Sequence, residues 1–205
     1  MKKIILSTFA LFAAVLITNA QTATTSSLPS DSKSVKVKVN VNLNSFQSIE
    51  MGSGATGGDG DYGDVVTLEY KNADDYRTGI SKNVAKQLKV SSVGSGYSVK
   101  ATLAKTTLTR IGADGAESID ANDILEIAIG KGFSDATPNS GKAITTTGTA
   151  FDFAGTGSSS VLDEELDVKY FGKPISQENL RTYFNNVGNK PIAYTVDVMY
   201  EIVAK

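Results

Sequence analysis

Cysteine, histidine and tryptophan are all absent from the 205 residues, and proline occurs only four times. Without cysteine there is no disulfide framework, no thiol nucleophile and no cysteine to carry a lipid. Without histidine the imidazole-based nucleophile pairs and the common zinc sites are excluded. The missing tryptophan removes the best side chain for stacking on a sugar face. Charge of one sign is lacking too: 20 Lys and Arg stand against 22 Asp and Glu, a formal net charge of −2. That balance gives no electrostatic case for nucleic acid or anionic lipid as a partner. These absences remove most catalytic arrangements; a carboxylate pair for glycoside hydrolysis is still formally open, and no spacing among the acidic residues selects a pair. The expectation is a non-enzyme with no cofactor.

Long apolar runs are limited to the start of the chain. Lys2 and Lys3 precede a mainly apolar stretch from Ile4 to Ile17, and Thr18-Asn19-Ala20 offers small residues at a cleavage site. This is the form of an export signal over residues 1–20, with Gln21 as the mature start. The stretch is shorter than the ~20 residues of a membrane-spanning helix and no second one follows, so no integral membrane insertion is expected. Loss of Lys2 and Lys3 makes the mature chain more acidic. The expected address is the cell surface or the medium, with the periplasm as the alternative.

Residues 21–34, QTATTSSLPSDSKS, form a flexible polar lead, and residues 35–205 have the length of a single domain. Val35, Val37, Val39, Val41 and Leu43 alternate with Lys36, Lys38, Asn40 and Asn42, which predicts a first strand with one wet face. The glycine-dense, acidic stretch 51–64 predicts a loop that does not pack. Residues 65–70 predict a strand, and residues 72–79 a turn-rich excursion around Tyr76. Residues 87–93 and 97–104, joined by Gly94-Ser95-Gly96, predict a hairpin. Shorter strands are expected near 106–111, 124–129, 143–153 and 166–170. Ser176 caps one predicted helix, with Leu180, Tyr183, Phe184 and Val187 on one face and Gly188 as its stop. In the last strand Ile192, Tyr194, Val196, Val198, Tyr200 and Ile202 share a face, and it is expected to be central. The sum is a mainly β fold, an antiparallel β-sandwich of Ig-like or pilin-like form with one short helix before the last strand. A small outer-membrane barrel is the runner-up, disfavoured by short strands and the lack of an aromatic girdle.

Few residues offer chemistry. Gly52, Gly54 and Gly57 spell GxGxxG, but carboxylates follow where a helix should open toward a pyrophosphate. Asp59, Asp61 and Asp64 could supply oxygens to calcium, although Gly63 and Tyr70 stand where ligands of the usual loop would be. Asp120, Asn122 and Asp123 form a second small cluster, read as a turn or cap. Tyr62 and Tyr76 could stack on a glycan, with ordinary loop packing as the alternative.

The segments SVKVKVNVNLN and AYTVDVMYEIV, set at the two ends of a threonine-rich, cysteine-free chain, resemble the alpha class of fimbrial major subunits of Gram-negative bacteria. DDYRTGISKNVAKQLKVSSVGSGYSVKA is similar to a segment of uncharacterised secreted flavobacterial β-sandwich proteins. The first resemblance implies a structural subunit whose sheet is completed by a neighbour's N-terminal extension; the second implies only an exported address. The functional expectation is therefore a non-catalytic structural or surface-assembly protein such as a filament subunit, whose partners are copies of itself or other surface subunits. Its assembly strands would be residues 35–43, paired within their own chain, and the last strand. The alternatives are a glycan-binding adhesin and a secreted sandwich of unassigned role.

Overall fold

The computed structural model describes residues 35–57, 63–111, 118–133, 141–153, 160–185 and 191–205. The chain divides into two units, Met1–Val41 and Asn42–Lys205. In the first, residues 35–41 carry neither helix nor strand, and Val35, Val37, Val39 and Val41 are 84%, 79%, 77% and 77% exposed. The predicted first strand is thus not formed, because alternation supplies a face while a strand also needs a ladder partner. In the second unit Leu43 is likewise exposed, and strand structure begins only at Phe46.

The second unit runs β1 (Phe46–Met51), α1 (Ala73–Thr78), β2 (Ile80–Val93), β3 (Tyr97–Leu103), β4 (Thr107–Arg110), β5 (Ser118–Asp120), α2 (Ala121–Ile124), β6 (Leu125–Gly130), β7 (Lys142–Ala143), β8 (Thr149–Phe153), β9 (Val161–Gly172), α3 (Gln177–Tyr183), β10 (Tyr194–Thr195) and β11 (Val198–Ala204). One layer is a five-stranded antiparallel sheet in the order β1-β2-β9-β6-β7. The other comprises two three-stranded sheets, β11-β3-β8 and β10-β4-β5. Backbone bonds Ala104 N–H to Asp197 O at 3.0 Å and Ile111 N–H to Ala193 O at 2.8 Å extend the β3–β11 and β4–β10 pairings by one residue each. A single core joins the layers: Leu88, Val90, Ile127, Leu166 and Val168 come from one side, and Tyr97, Val99, Ala101, Leu103 and Phe151 from the other. The fold is an antiparallel β-sandwich.

The alternating faces lie where the sequence puts them, but several pairings differ. The expected hairpin is an arch: β2 pairs with β1 and β9, whereas β3 pairs with β11 and β8. Both strands bury one face, and they bury it against each other across the core instead of lying side by side. Gly94, at φ 92°, lets the chain cross between layers, and its N–H is held by Ser160 Oγ at 2.9 Å. Residues 65–70 alternate between exposed and half-buried, and Val66 and Leu68 pack on the core, yet no strand forms there. The last strand is an edge, not a centre. It breaks into β10 and β11, and β11 has β3 as its one strand neighbour among the described residues.

Among the described residues three short helices stand where a single one was expected. At α1, Asn72 Oδ1 accepts from Asp74 and Asp75 N–H while Asp75 reaches back to the Asn72 N–H, a capping box on a helix too short to show periodicity. Asp120 caps α2 by accepting from Asn122 N–H at 2.9 Å. Ser176 caps α3 as expected, but the helix stops at Tyr183, well before Gly188, which lies outside the described residues.

Candidate functional site

The glycine stretch that follows β1 is packed, contrary to the expectation of a loose loop. Gly52 N–H donates to Gln87 O at 2.7 Å and Gly54 N–H to Lys86 O at 3.0 Å, carrying the β1–β2 pairing onward. A Cβ on Gly52 would sit 2.1 Å from Lys86 O, and one on Gly54 only 1.7 Å from Ala85 O. Close backbone approach therefore accounts for two of the three glycines in GxGxxG, and no phosphate cradle is needed to explain them. The approach is made against a bulge in β2, where the register with β9 shifts between Val84 and Leu88 and Lys86 takes φ 55°. Asp167 Oδ1 accepts the Lys86 N–H at 2.8 Å, so the bulge's free donor is satisfied.

Asp64 ties this segment to the core. Its Oδ1 accepts from Thr56 N–H at 3.1 Å, Thr56 Oγ1 at 2.8 Å and Val65 N–H at 2.9 Å, and its Oδ2 accepts from Gln87 Nε2 at 2.7 Å. The buried Gln87 accepts in turn from Tyr170 Oη at 2.9 Å, and Tyr170 lies 2.8 Å from Tyr200 Oη. Since the single Tyr170 proton goes to Gln87, Tyr200 donates to Tyr170. Burial pushes both phenols up, which keeps their protons in place for these bonds. The chain of contacts crosses from the glycine segment through β2 and β9 to the edge strand β11.

With four donors converging on it, Asp64 serves as an internal acceptor. Asp59 and Asp61, the other calcium candidates, lie outside the described residues, as does Tyr62. Among the described residues no group of three or more acidic side chains is placed to hold a metal ion. Tyr76 is half-buried and stacks on Tyr70 with ring centroids 5.2 Å apart, which is internal packing. Tyr194, Val196, Val198 and Tyr200 line the half-buried face of the edge strand, and residues 35–43 are exposed. The sequence reading missed Gln87, Thr56 and Asp167; Gln87 and Asp167 occupy the polar positions of alternating strands and Thr56 lies in the glycine stretch, so no sequence signal marked them.

Partial burial acts to raise the Asp64 pKa, but the hydrogen bonds from Thr56, Gln87 and Val65 outweigh it and hold the carboxyl below the usual value. A folded-state value below the unfolded one means that stability is fully present above the unfolded pKa and is lost as pH falls through the folded one. Between about pH 5 and pH 3 the wild type is expected to lose more stability than Asp64→Asn. Urea midpoints measured across that window would show it, and parallel losses in the two proteins would refute it.

A cavity of about 530 Å³ opens where β3 and β8 part from β6 and β9, lined by Tyr97, Ile129, Lys131, Phe153, Val161 and Glu164 among others. Glu164 accepts from both Tyr97 Oη and Lys131 Nζ, so its charge is matched within the wall. Among the described residues no helix is long and apolar enough to cross a membrane. No protein-family model matches the sequence, and no curated protein matches it.

Proposed function

We propose that this chain is a non-catalytic, exported structural subunit that assembles at the cell surface by β-augmentation, with residues 35–43 as the donated strand. The carrying observation is that Val35, Val37, Val39, Val41 and Leu43 are 84%, 79%, 77%, 77% and 91% exposed, although they are spaced to line one face of a strand. Burying each such side chain is worth about 1.5–3 kcal/mol, so five of them form a large unsatisfied apolar face. Lys36, Lys38, Asn40 and Asn42 would keep the opposite face wet and discourage indiscriminate pairing. The acceptor is an exposed sheet edge on another subunit, where main-chain hydrogen bonds give affinity and alternate side chains give specificity. The edge strand β11 presents such a row of backbone groups beside the half-buried Val198, Tyr200 and Ile202.

The test compares the exported protein with Val37→Asp/Val39→Asp. Unheated gels and electron microscopy of surface material should show oligomers or filaments from the wild type and monomers from the double variant. A wild type that sediments as a monomer at every concentration, in periplasm and medium alike, would rule the subunit role out.

A further inference from the structure

The outer face of a sandwich strand is ordinarily wet. On β9 it is not: Asp167, Lys169 and Phe171 are only 6%, 1% and 4% exposed, and Lys169 is the largest of the fully buried side chains. Directly opposite Lys169 in the β2–β9 register stands Asn83. Side chains facing one another across a strand pair have Cβ atoms about 4.5–5.5 Å apart, within reach of a lysine's length. Asn83 is itself constrained, since its Nδ2 donates to Phe133 O at 3.1 Å while its buried Oδ1 has no hydrogen-bond partner. Asp167, two residues before Lys169 on the same face, accepts the N–H of that same Phe133 at 2.8 Å. One residue, Phe133, therefore holds both the carboxamide and the carboxylate in place. The Lys169 Nζ lies 5.5 Å from the centre of the Phe171 ring.

An amine and a carboxamide at opposed register positions, with a carboxylate two residues away on the same face of β9, are the components of an amide exchange. We propose that Lys169 and Asn83 are joined after folding by an isopeptide bond, with Asp167 as the proton carrier. The Asp167 carboxylate takes one proton from the Lys169 ammonium, and the freed Nζ lone pair attacks Cγ of Asn83. The Cγ–Nδ2 bond breaks as Nδ2 takes a proton from Nζ and leaves as ammonia. Asp167 returns its own proton to that ammonia, so one ammonium and one carboxamide become one secondary amide and one ammonium ion. No oxidant or external reagent enters the balance.

The product exchanges a buried cation for a neutral amide. It also links β2 to β9 close to the bulge that interrupts their ladder. In a chain with no cysteine this is a covalent closure of a long loop, which in the chain-entropy account stabilises by restricting the unfolded state. The cross-link is independent of the subunit reading and holds for a monomer equally.

Proteolytic peptide mapping of the folded wild type by mass spectrometry decides the matter without a variant. A single branched peptide carrying residues 83 and 169, lighter than its two parts by one ammonia, is expected. The mass of the intact chain is not enough, because an N-terminal glutamine cyclises with the same loss. Asn83→Ala and Lys169→Met should each give separate peptides and a slower band on a denaturing gel. Asp167→Asn, checked as folded by circular dichroism, should slow joining by about a hundredfold or more. Two separate, unmodified peptides from the folded wild type would overturn the proposal, and joining at the wild-type rate in Asp167→Asn would overturn the role of that carboxylate.

Discussion

Leu166→Ala is expected to destabilise the protein by about 2–5 kcal/mol, the usual range for removing a leucine from a packed core. Leu166 is fully buried on the central strand β9, and its register partner Leu88 on β2 is buried as well. The two belong to the cluster that also takes in Val99 and Ala101 from the facing layer. Collapse around the new void is limited, because ladder bonds between β2 and β9 fix the backbone next to it and β3 holds the opposite wall. Leu162 supplies a control on the same strand: it is 66% exposed, and Leu162→Ala should change stability by no more than about 0.5 kcal/mol. Urea unfolding would measure both. A loss at Leu166 no larger than at Leu162 would mean that the layers do not share this core.

Gly54→Ala is the second substitution with a large expected effect, costing about 1–3 kcal/mol. The new methyl would lie 1.7 Å from Ala85 O and 2.9 Å from Ala85 C, and both are backbone atoms that no rotamer change can clear. The glycine segment must then lift off the β2 bulge, which breaks the Gly54–Lys86 bond and loosens Thr56 and Asp64 beyond it. Gly57→Ala is an instructive contrast. Nothing lies within 4 Å of its Cβ, so only the strain of φ 118° opposes it. Thermal unfolding should place Gly54→Ala below Gly57→Ala, and the reverse order would show that conformation outweighs contact here.

The period-two pattern gave the correct buried face almost everywhere, because a half-buried strand must put alternate residues inward. Leu88, Val90, Tyr97, Val99, Ala101, Leu103, Leu166, Val168 and Tyr170 are all buried. Alternation says which way a side chain points and nothing about which strand lies alongside, so it could not separate a hairpin from the arch at Gly94. It also misled where a segment had the pattern without a ladder, as in residues 65–70 and 35–43. On β9 it broke down in the opposite sense, since Asp167, Lys169 and Phe171 are as buried as their apolar neighbours. The candidate site was less legible. Asp64 could be singled out as a carboxylate in a glycine loop, but Thr56 reaches it through the path of the glycine segment and Gln87 through the β2 bulge on which that segment packs, neither of which has a sequence signature.

The arch between β2 and β3 also bears on the order of folding. Had those neighbours formed a hairpin, a local nucleus could close within microseconds. As it is, β2 finds its longest pairing with β9, so Leu88 must meet Leu166 across most of the intervening domain. Chains dominated by such distant pairings fold in milliseconds to seconds. The five-stranded sheet has β9 at its middle, and without residues 161–172 neither β1-β2 nor β6-β7 has a neighbour to join. A chain that emerges from its N-terminus thus has no complete layer until about four-fifths of it is available.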